Sequence, residues 1–388
     1  MANVLTDLAA DIYVAADTVA RELVGVIPSS LVNANGAERA ALGDTVRSHV
    51  TNQATAVDVA PSMTIPEGTD QTVGNKTMTI SKSRAVQIPW TGEDMRHVNN
   101  GSGFETIYGD QVAQAMRTLV NEMEVDLATE VYRNASRAVG TAGTTPFASN
   151  FNLIAEARKI MVDNGTPFDG QVSMVLDTAA GANLRNLAQL QKANENGSDQ
   201  MLRNGVLLDL QGMMLKESAG IQAHTAGTVT ANVTVTGANA VGATEIGVTT
   251  DGSGAVALVA GDVISLAGDS NRYVVAADVT VGNSTTGTIT INGPGLRQAT
   301  SGSEAVTAEA SYSGNIAFHR NAAEIAMRAP ALPAGGDVAD DAMIIQDPFS
   351  GMVFEVRAYK GYKKAMFEVA TAFGVKAWKD EFISLIQG

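Results

Sequence analysis

Cysteine is absent from the 388-residue sequence, which excludes a disulfide framework and thiolate chemistry. Aromatic residues are scarce, at 5%. Gly, Ala, Val and Thr are abundant instead, which suits extended sheets with small side chains. Histidine occurs four times, as His49, His97, His224 and His319, and no two stand at metal-ligand spacing. Positive charge is in deficit: 26 Lys and Arg face 41 Asp and Glu, a formal charge of -15. That balance argues against a chain that grips nucleic acid by its phosphates, and is compatible with a basic protein partner. No window holds about 18 apolar residues, so no membrane-spanning helix is expected. The start, "MANVLTDLAADIYVAADTVARELVGVIPSSL", lacks a basic n-region, and acids interrupt its apolar runs. No cleaved signal peptide is expected there, and a reducing cytoplasm is the expected site of maturation.

Catalytic motifs are missing as well. There is no HExxH, no GxxxxGK[ST], no GxGxxG after a strand and no GxSxG elbow. "GDSNRY" and "DGSG" read as Asp and Gly in β-turns rather than as ion sites. The expectation is a non-enzyme with no catalytic, cofactor-binding or metal-ligating residues. A chain of this length is too long for one ordinary core, so two or three domains are expected.

Among what is present, residues 3–25 carry Leu5, Leu8, Ile12, Tyr13, Val19 and Leu23 at helical spacing, with Asp7, Asp11, Asp17, Arg21 and Glu22 on the other face. Residues 26–53 read as irregular. From 54 to 92 the pattern turns to alternation, with Met78, Ile80, Ala85, Val86, Ile88 and Trp90 apolar and a slip near Arg84. Pro66, Gly68 and Gly74 precede it, so a long hairpin with a polar tip is expected. Such an arm cannot bury a core of its own and must lean on something else.

Residues 103–136 read as one helix. Phe104, Tyr108, Val112, Ala115, Met116, Leu119, Met123, Leu127 and Val131 follow steps of three and four. Its length is about 45 Å, and one apolar face destines it for a sheet. A shorter helix follows at 150–164, closed by Gly165 and Pro167. "QVSMVLD" reads as a buried strand, Asp177 as the N-cap of a helix over "TAAGANLRNLAQLQKA", "NENGSDQMLRNG" as a loop and "VLLDLQGMMLKES" as a strand. From 222 to 312 the composition shifts to short alternating strands split by Gly, Asn and Asp, an all-β module of about six strands. No Lys occurs between Lys216 and Lys360. "AYKGYKKA" is the one basic cluster, open to reading as a solvated strand face or as a partner site. The closing segment holds long alternating strands, a natural bed for the long helix.

The element order, with "VTVTG…AGDVISLAGDSNRYVV", "IAFHRNAAEIAMRAP" and "ATAFGVKAWKDEFISLI", resembles the major capsid proteins of tailed bacteriophages that carry an inserted β-barrel domain. Encapsulins share that fold. The resemblance implies an α+β capsid fold: an N-terminal arm, 1–53; an extended hairpin arm, 54–92; a peripheral domain, 93–166 and 349–388, with spine helix 103–136; an axial domain, 167–221 and 314–348; and an inserted β-domain, 222–312. It implies a structural subunit that self-assembles as hexamers and pentamers into an icosahedral shell around double-stranded DNA, in a virion assembled in the host bacterial cytoplasm. Implied partners are further copies of the chain, a scaffolding protein, a portal, non-specifically contacted DNA and a decoration protein, with no membrane. Candidate inter-subunit arm residues are Pro66, Glu67, Asp70, Lys76, Lys82 and Arg84. Candidate scaffold contacts are Asp7, Asp11, Asp17 and Glu22, and the spine core is Tyr108, Val112, Met116, Leu119, Met123 and Leu127. Alternatives are an encapsulin-like compartment shell, a β-rich adhesin or tail protein, and an enzyme with an unrecognised site.

Overall fold

The computed structural model describes residues 12, 14–19, 24–51, 56–65, 73–99, 104–191, 209–347 and 350–388. A helix, α1 (residues 14–19), and a 3-10 turn, Ile27–Ser29, come first. Strands β1 (Leu31–Ala40), β2 (Thr45–Thr51), β3 (Val73–Thr79) and β4 (Lys82–Thr91) follow. Helix α2 (Gly92–Asn99) starts with a reciprocal capping box, in which Thr91 and Asp94 bond each other's backbone N–H. The long stripe folds as one helix, α3 (Phe104–Arg133), and leads into β5 (Arg137–Gly140). Helix α4 (Asn152–Asp163) ends as its sequence asks, with Gly165 at φ +81°. Next are β6 (Val172–Leu176), wholly buried, α5 (Thr178–Asn186) and α6 (Ala188–Gln191). Asp177 is the N-cap of α5, its carboxylate accepting from Ala180 N at 2.6 Å.

"VLLDLQGMMLKES" is not one strand but a hairpin, β7 (Asp209–Leu210) and β8 (Met213–Glu217). Gln211 and Gly212 both take positive φ, +54° and +80°, the two-residue turn that suits the twist of paired strands. The module then runs through β9 (Ala223–His224), β10 (Thr228–Val229), β11 (Val233–Val235), β12 (Glu245–Thr250) and β13 (Val256–Leu258). It continues as β14 (Val263–Leu266), β15 (Arg272–Val274), β16 (Val279–Val281), β17 (Thr286–Thr290) and β18 (Ala305–Ala308). These ten strands exceed the expected six or so because the Gly and Asn turns cut alternating runs into pieces. The chain closes with β19 (Tyr312–His319), β20 (Ala323–Pro330), β21 (Ala339–Gln346), β22 (Val353–Gly361), β23 (Lys364–Ala377) and β24 (Ile383–Gln387).

Two large sheets organise these strands. One is ordered β1-β20-β23-β22-β21, with β4 also on β23. The other, of 13 strands, is ordered β17-β12-β11-β18-β14-β15-β5-β24-β19-β6-β8-β7, with β9 on β19. A three-stranded sheet, β10-β13-β16, joins the six module strands around a core that includes Val235, Ile246, Val248, Ile264, Tyr273 and Ile289. The spine α3 packs on β4 and β23 of the first sheet and on β19 and β24 of the second. Val112, Met116, Leu119, Met123 and Leu127 are each no more than 2% exposed. Tyr108 lies within the helix. A second side of the helix, not anticipated as covered, is closed by Val26 and Ile27.

Four expectations are corrected by strand pairing. Residues 26–53 are not irregular: β1 lies parallel to β20, Leu31 opposite Glu324, and β2 pairs β3. Half-exposed "LVNANGAERA" carries no alternation, and its partner comes from the far end of the chain. The hairpin is not 54–92 but β2–β3, and β4 belongs to the first sheet. There is no slip at Arg84: β4 pairs β23 in unbroken register from Lys82 to Thr91, and the break falls at Ile80 and Ser81. Finally, 314–348 and 349–388 do not separate into axial and peripheral parts. β20 and β21 join β22 and β23, while β24 crosses to β5 and β19. Both "AEIAMRAP" and "ISLIQ" are buried runs, alike in sequence, and only their neighbours in space tell them apart.

Candidate assembly surface

The β2–β3 ribbon pairs seven residues on each side, from Thr45 opposite Thr79 to Thr51 opposite Val73. Its root is anchored. Met78 and Ile80 are buried with Ala40, Ala326, Ala372 and Trp378. Lys76 Nζ donates to Trp378 O at 2.6 Å, and Trp378 Nε1 donates to buried Glu324 at 2.6 Å. Beyond the root the chain leaves its own body. Residues 56–65 have no regular structure and are exposed throughout. Val57, Val59, Met63 and Ile65 stand 79%, 98%, 107% and 90% exposed. Four large apolar side chains within nine residues are thus left uncovered by the chain that carries them.

Of the candidate arm residues, Pro66, Glu67 and Asp70 lie outside the described residues. Lys76 sits at the ribbon root. Lys82 and Arg84 are on β4 and serve the chain's own spine. Lys82 Nζ meets Glu122 at 3.0 Å and Asp126 at 2.7 Å, and Arg84 Nε meets Glu122 at 2.8 Å. The bond to Asp126 holds the Lys82 ammonium above its usual range. Burial alone would raise the Glu122 carboxyl, but its bonds to Lys82 and Arg84 outweigh that and lower it. Among the candidate scaffold contacts, Asp7, Asp11 and Glu22 lie outside the described residues, and Asp17 is half-buried on α1.

A second exposed feature lies at the far end of the first sheet. Tyr362, at the β22–β23 turn, is 89% exposed, and Val338, before β21, is 88% exposed. Lys363 takes φ +55° there, a position where a lysine is strained. The basic cluster is partly neutralised, since Lys360 Nζ pairs with Asp340 at 2.5 Å. Below it, Asp337 accepts from Tyr359 at 2.8 Å and from Arg357, and the Tyr359 bond first, then those from Ala339 N and Arg357, hold its carboxyl below the usual range.

The sequence gives no hint of how the module joins the host. Its sheet is continuous with the host's through β15 and β5. Asn292, 3% exposed, donates from Nδ2 to Arg133 O at 2.7 Å and Ala135 O at 2.9 Å, satisfying carbonyls left open where the spine ends. His224 bonds Asp262 at 2.8 Å through Nε2 and Tyr132 of the spine at 3.3 Å through Nδ1. This His–Asp pair is 3% and 1% exposed, walled off from any substrate, and its partners are structural. Among the described residues no three His, Asp or Glu gather where they could hold a metal ion, and no helix is long and apolar enough to cross a membrane.

This arrangement defines a class of fold. It is that of phage capsid subunits: a spine helix across a sheet, a projecting ribbon and a second sheet beside it. The chain superposes on the capsid of cyanophage P-SCSP1u with a TM-score of 0.50 over 92% of this chain and 86% of that one, at 9% sequence identity. Similarity extends to Mycobacterium phage Che8, at TM-score 0.46 and 13% identity over 89% and 84% of the two chains. A virus-like particle from Pyrococcus furiosus gives TM-score 0.44 and 8% identity over 97% and 98%. No protein-family description and no curated protein matches the sequence.

Proposed function

We propose that this chain is the shell subunit of a tailed-phage capsid and that its function is assembly, with no catalysis. The observation that carries this reading is a capsid-subunit fold whose ribbon presents apolar side chains that its own body leaves bare. A ribbon of this kind gains stability only by lying on a neighbouring copy. Many modest contacts then add up around a closed lattice. In this reading the first sheet and the spine form the peripheral part of the subunit, β5, β6, β8, β19 and β24 with α4 and α5 form the axial part, and residues 222–312 stand outside the shell. The chain's charge of -15 suits a wall along which packaged DNA slides without sticking. A scaffolding protein, a portal and a decoration protein are the proposed partners, and the virion, assembled in the host bacterial cytoplasm, is the proposed location.

Electron microscopy and sedimentation of the purified full chain, alone and with co-expressed neighbours of its gene, test this. Closed particles of uniform size support the proposal. Lone subunits under every condition, with residues 56–65 protected from proteolysis, sink it. The contents of purified particles separate a genome shell from a protein-loaded compartment.

A further inference from the structure

Strand β4 carries two unlike rows of backbone groups. It pairs β23 from Lys82 opposite Phe373 to Thr91 opposite Lys364, and Gly92 N continues that register to Lys363 O at 3.1 Å. Bonding residues alternate in an antiparallel ladder. The even-numbered residues of β4 therefore turn their N–H and C=O groups to β23, and Ser83, Ala85, Gln87 and Pro89 turn theirs outward. Among the described residues no strand pairs this outer edge. The four outward residues are exposed and uncharged. Pro89, with no N–H to give, stands in the row where a strand tolerates it. The side chains divide in the same way. Ile88 and Trp90 are buried with the spine and Val86 packs against that core, so the odd-numbered side chains lie on the other face.

Residues 56–65 carry the matching pattern. Val57, Val59, Met63 and Ile65 are all odd-numbered, and so is Pro61, while Asp58, Ala60, Ser62 and Thr64 alternate with them. Laid out as a strand, the segment has one apolar face and one face of small or polar side chains. Pro61 fits only in the row that does not bond, so the even-numbered residues make the bonds. In an antiparallel pair, two bonding residues stand opposite each other and share a face. The small and polar row then lies beside Ser83, Ala85 and Gln87, and the apolar row extends the face of Val86, Ile88 and Trp90. A parallel pairing sets a bonding residue opposite one that bonds away, which turns the apolar row to the wrong face. Covering the four apolar side chains removes about 240–480 Å² from water, against about 1,200 Å² for a stable pairwise interface. One such contact holds no pair by itself. A partner identical to the chain offers the same edge at every copy, so the contact repeats around a closed ring.

We infer that residues 56–65 of one copy bind as an added antiparallel strand on the outer edge of β4, residues 83–89, of a second copy, with Val57, Val59, Met63 and Ile65 on the spine side. This rests on the shell reading and gives its ribbon an acceptor site and a binding mode.

The chain has no cysteine, so introduced cysteines report alone. Two differently tagged full-length chains are mixed under assembly conditions and oxidised. One carries Ser62→Cys and the other Ser83→Cys, Ala85→Cys or Gln87→Cys. Opposed residues on one face of a strand pair lie within disulfide reach. A covalent heterodimer is expected for at least one of the three pairs, and at least tenfold less of it when Met63→Cys replaces Ser62→Cys, because that side chain is on the other face. In parallel, Ala85→Pro removes an outward N–H and leaves the bonds to β23 in place. It is expected to raise the concentration needed for assembly at least tenfold with subunit Tm unchanged, while Ala85→Ser changes neither. Should Ala85→Pro fail to fold, the crosslinks decide. Equal linkage from positions 62 and 63, or none from either in well-formed particles, overturns the strand addition and leaves the shell reading standing. A link that forms only when both cysteines are on one chain shows that the segment covers its own edge, and overturns it too. A parent chain that forms no particles takes the shell reading and this inference down together.

Discussion

Replacing Val59 and Met63 by serine removes two apolar side chains that nothing in the chain's own body covers. They are 98% and 107% exposed, so the folded subunit loses no packing. Its unfolding free energy is expected to change by less than about 0.5 kcal/mol, as for other uncoupled surface changes. Assembly is another matter. Fully burying an aliphatic side chain of this size is worth about 1.5–3 kcal/mol, so the pair contributes about 3–6 kcal/mol wherever the ribbon docks. The cost of ordering residues 56–65 is the same with or without the substitutions, so it cancels in the comparison. A factor of ten in association corresponds to about 1.4 kcal/mol, and the subunit concentration needed for assembly is expected to rise by roughly 10² to 10⁴. Light scattering against concentration gives the threshold, sedimentation velocity identifies the species, and thermal unfolding checks the lone subunit. An unmoved threshold would refute the docking role of residues 56–65. A large drop in subunit Tm would show that the segment is covered by its own chain after all.

Three further outcomes follow from the geometry. Asn292→Ala leaves the buried Ala135 carbonyl and the part-buried Arg133 carbonyl without this donor and is expected to cost about 1–3 kcal/mol in urea unfolding. Lys82→Met is expected to cost no more than about 1 kcal/mol, because its pairs with Glu122 and Asp126 are partly exposed, and 1 M salt should erase the difference. Asp380 is raised to about 6, mainly by burial and then by Glu381. A carboxyl raised on folding favours the folded state at low pH, and that contribution is lost as pH climbs through about 6. Asp380→Asn should therefore be more stable than the parent at pH 8, by up to about 2–3 kcal/mol, and indistinguishable from it near pH 4 in denaturant titrations.

Legibility followed the range of the forces involved. The stripe of α3, the cap at Asp177 and the stop at Gly165 are local events, and each was readable residue by residue. The long closing strands announced themselves by alternation. The Gln211–Gly212 turn was also readable, since a residue followed by glycine between two apolar runs signals a hairpin, but the continuous apolar run masked it. The burial of Glu124, whose carboxylate accepts from the Val26 and Ile27 amides and from Ser218 Oγ, left no trace, because a lone Glu among the polar positions of an amphipathic helix looks like a solvated one. The assembly surface was half legible. A polar, core-poor arm was expected, but its bare apolar residues, Val57 to Ile65, lie in a stretch that the reading passed over in favour of charged residues nearer β4.

By itself the sequence determined the long helix α3, the end of α4 and the cap of α5, because helical hydrogen bonds and side-chain periodicity close within a few residues; it missed α2, and the helix expected over 178–193 is broken at Leu187, whose extended backbone separates α5 from α6. Only the tertiary structure decided which strands lie side by side: β1 with β20, β24 with β5 rather than with β23, and β15 of the module with the host. A strand's hydrogen bonds point outward, to a partner that the chain's own composition does not name.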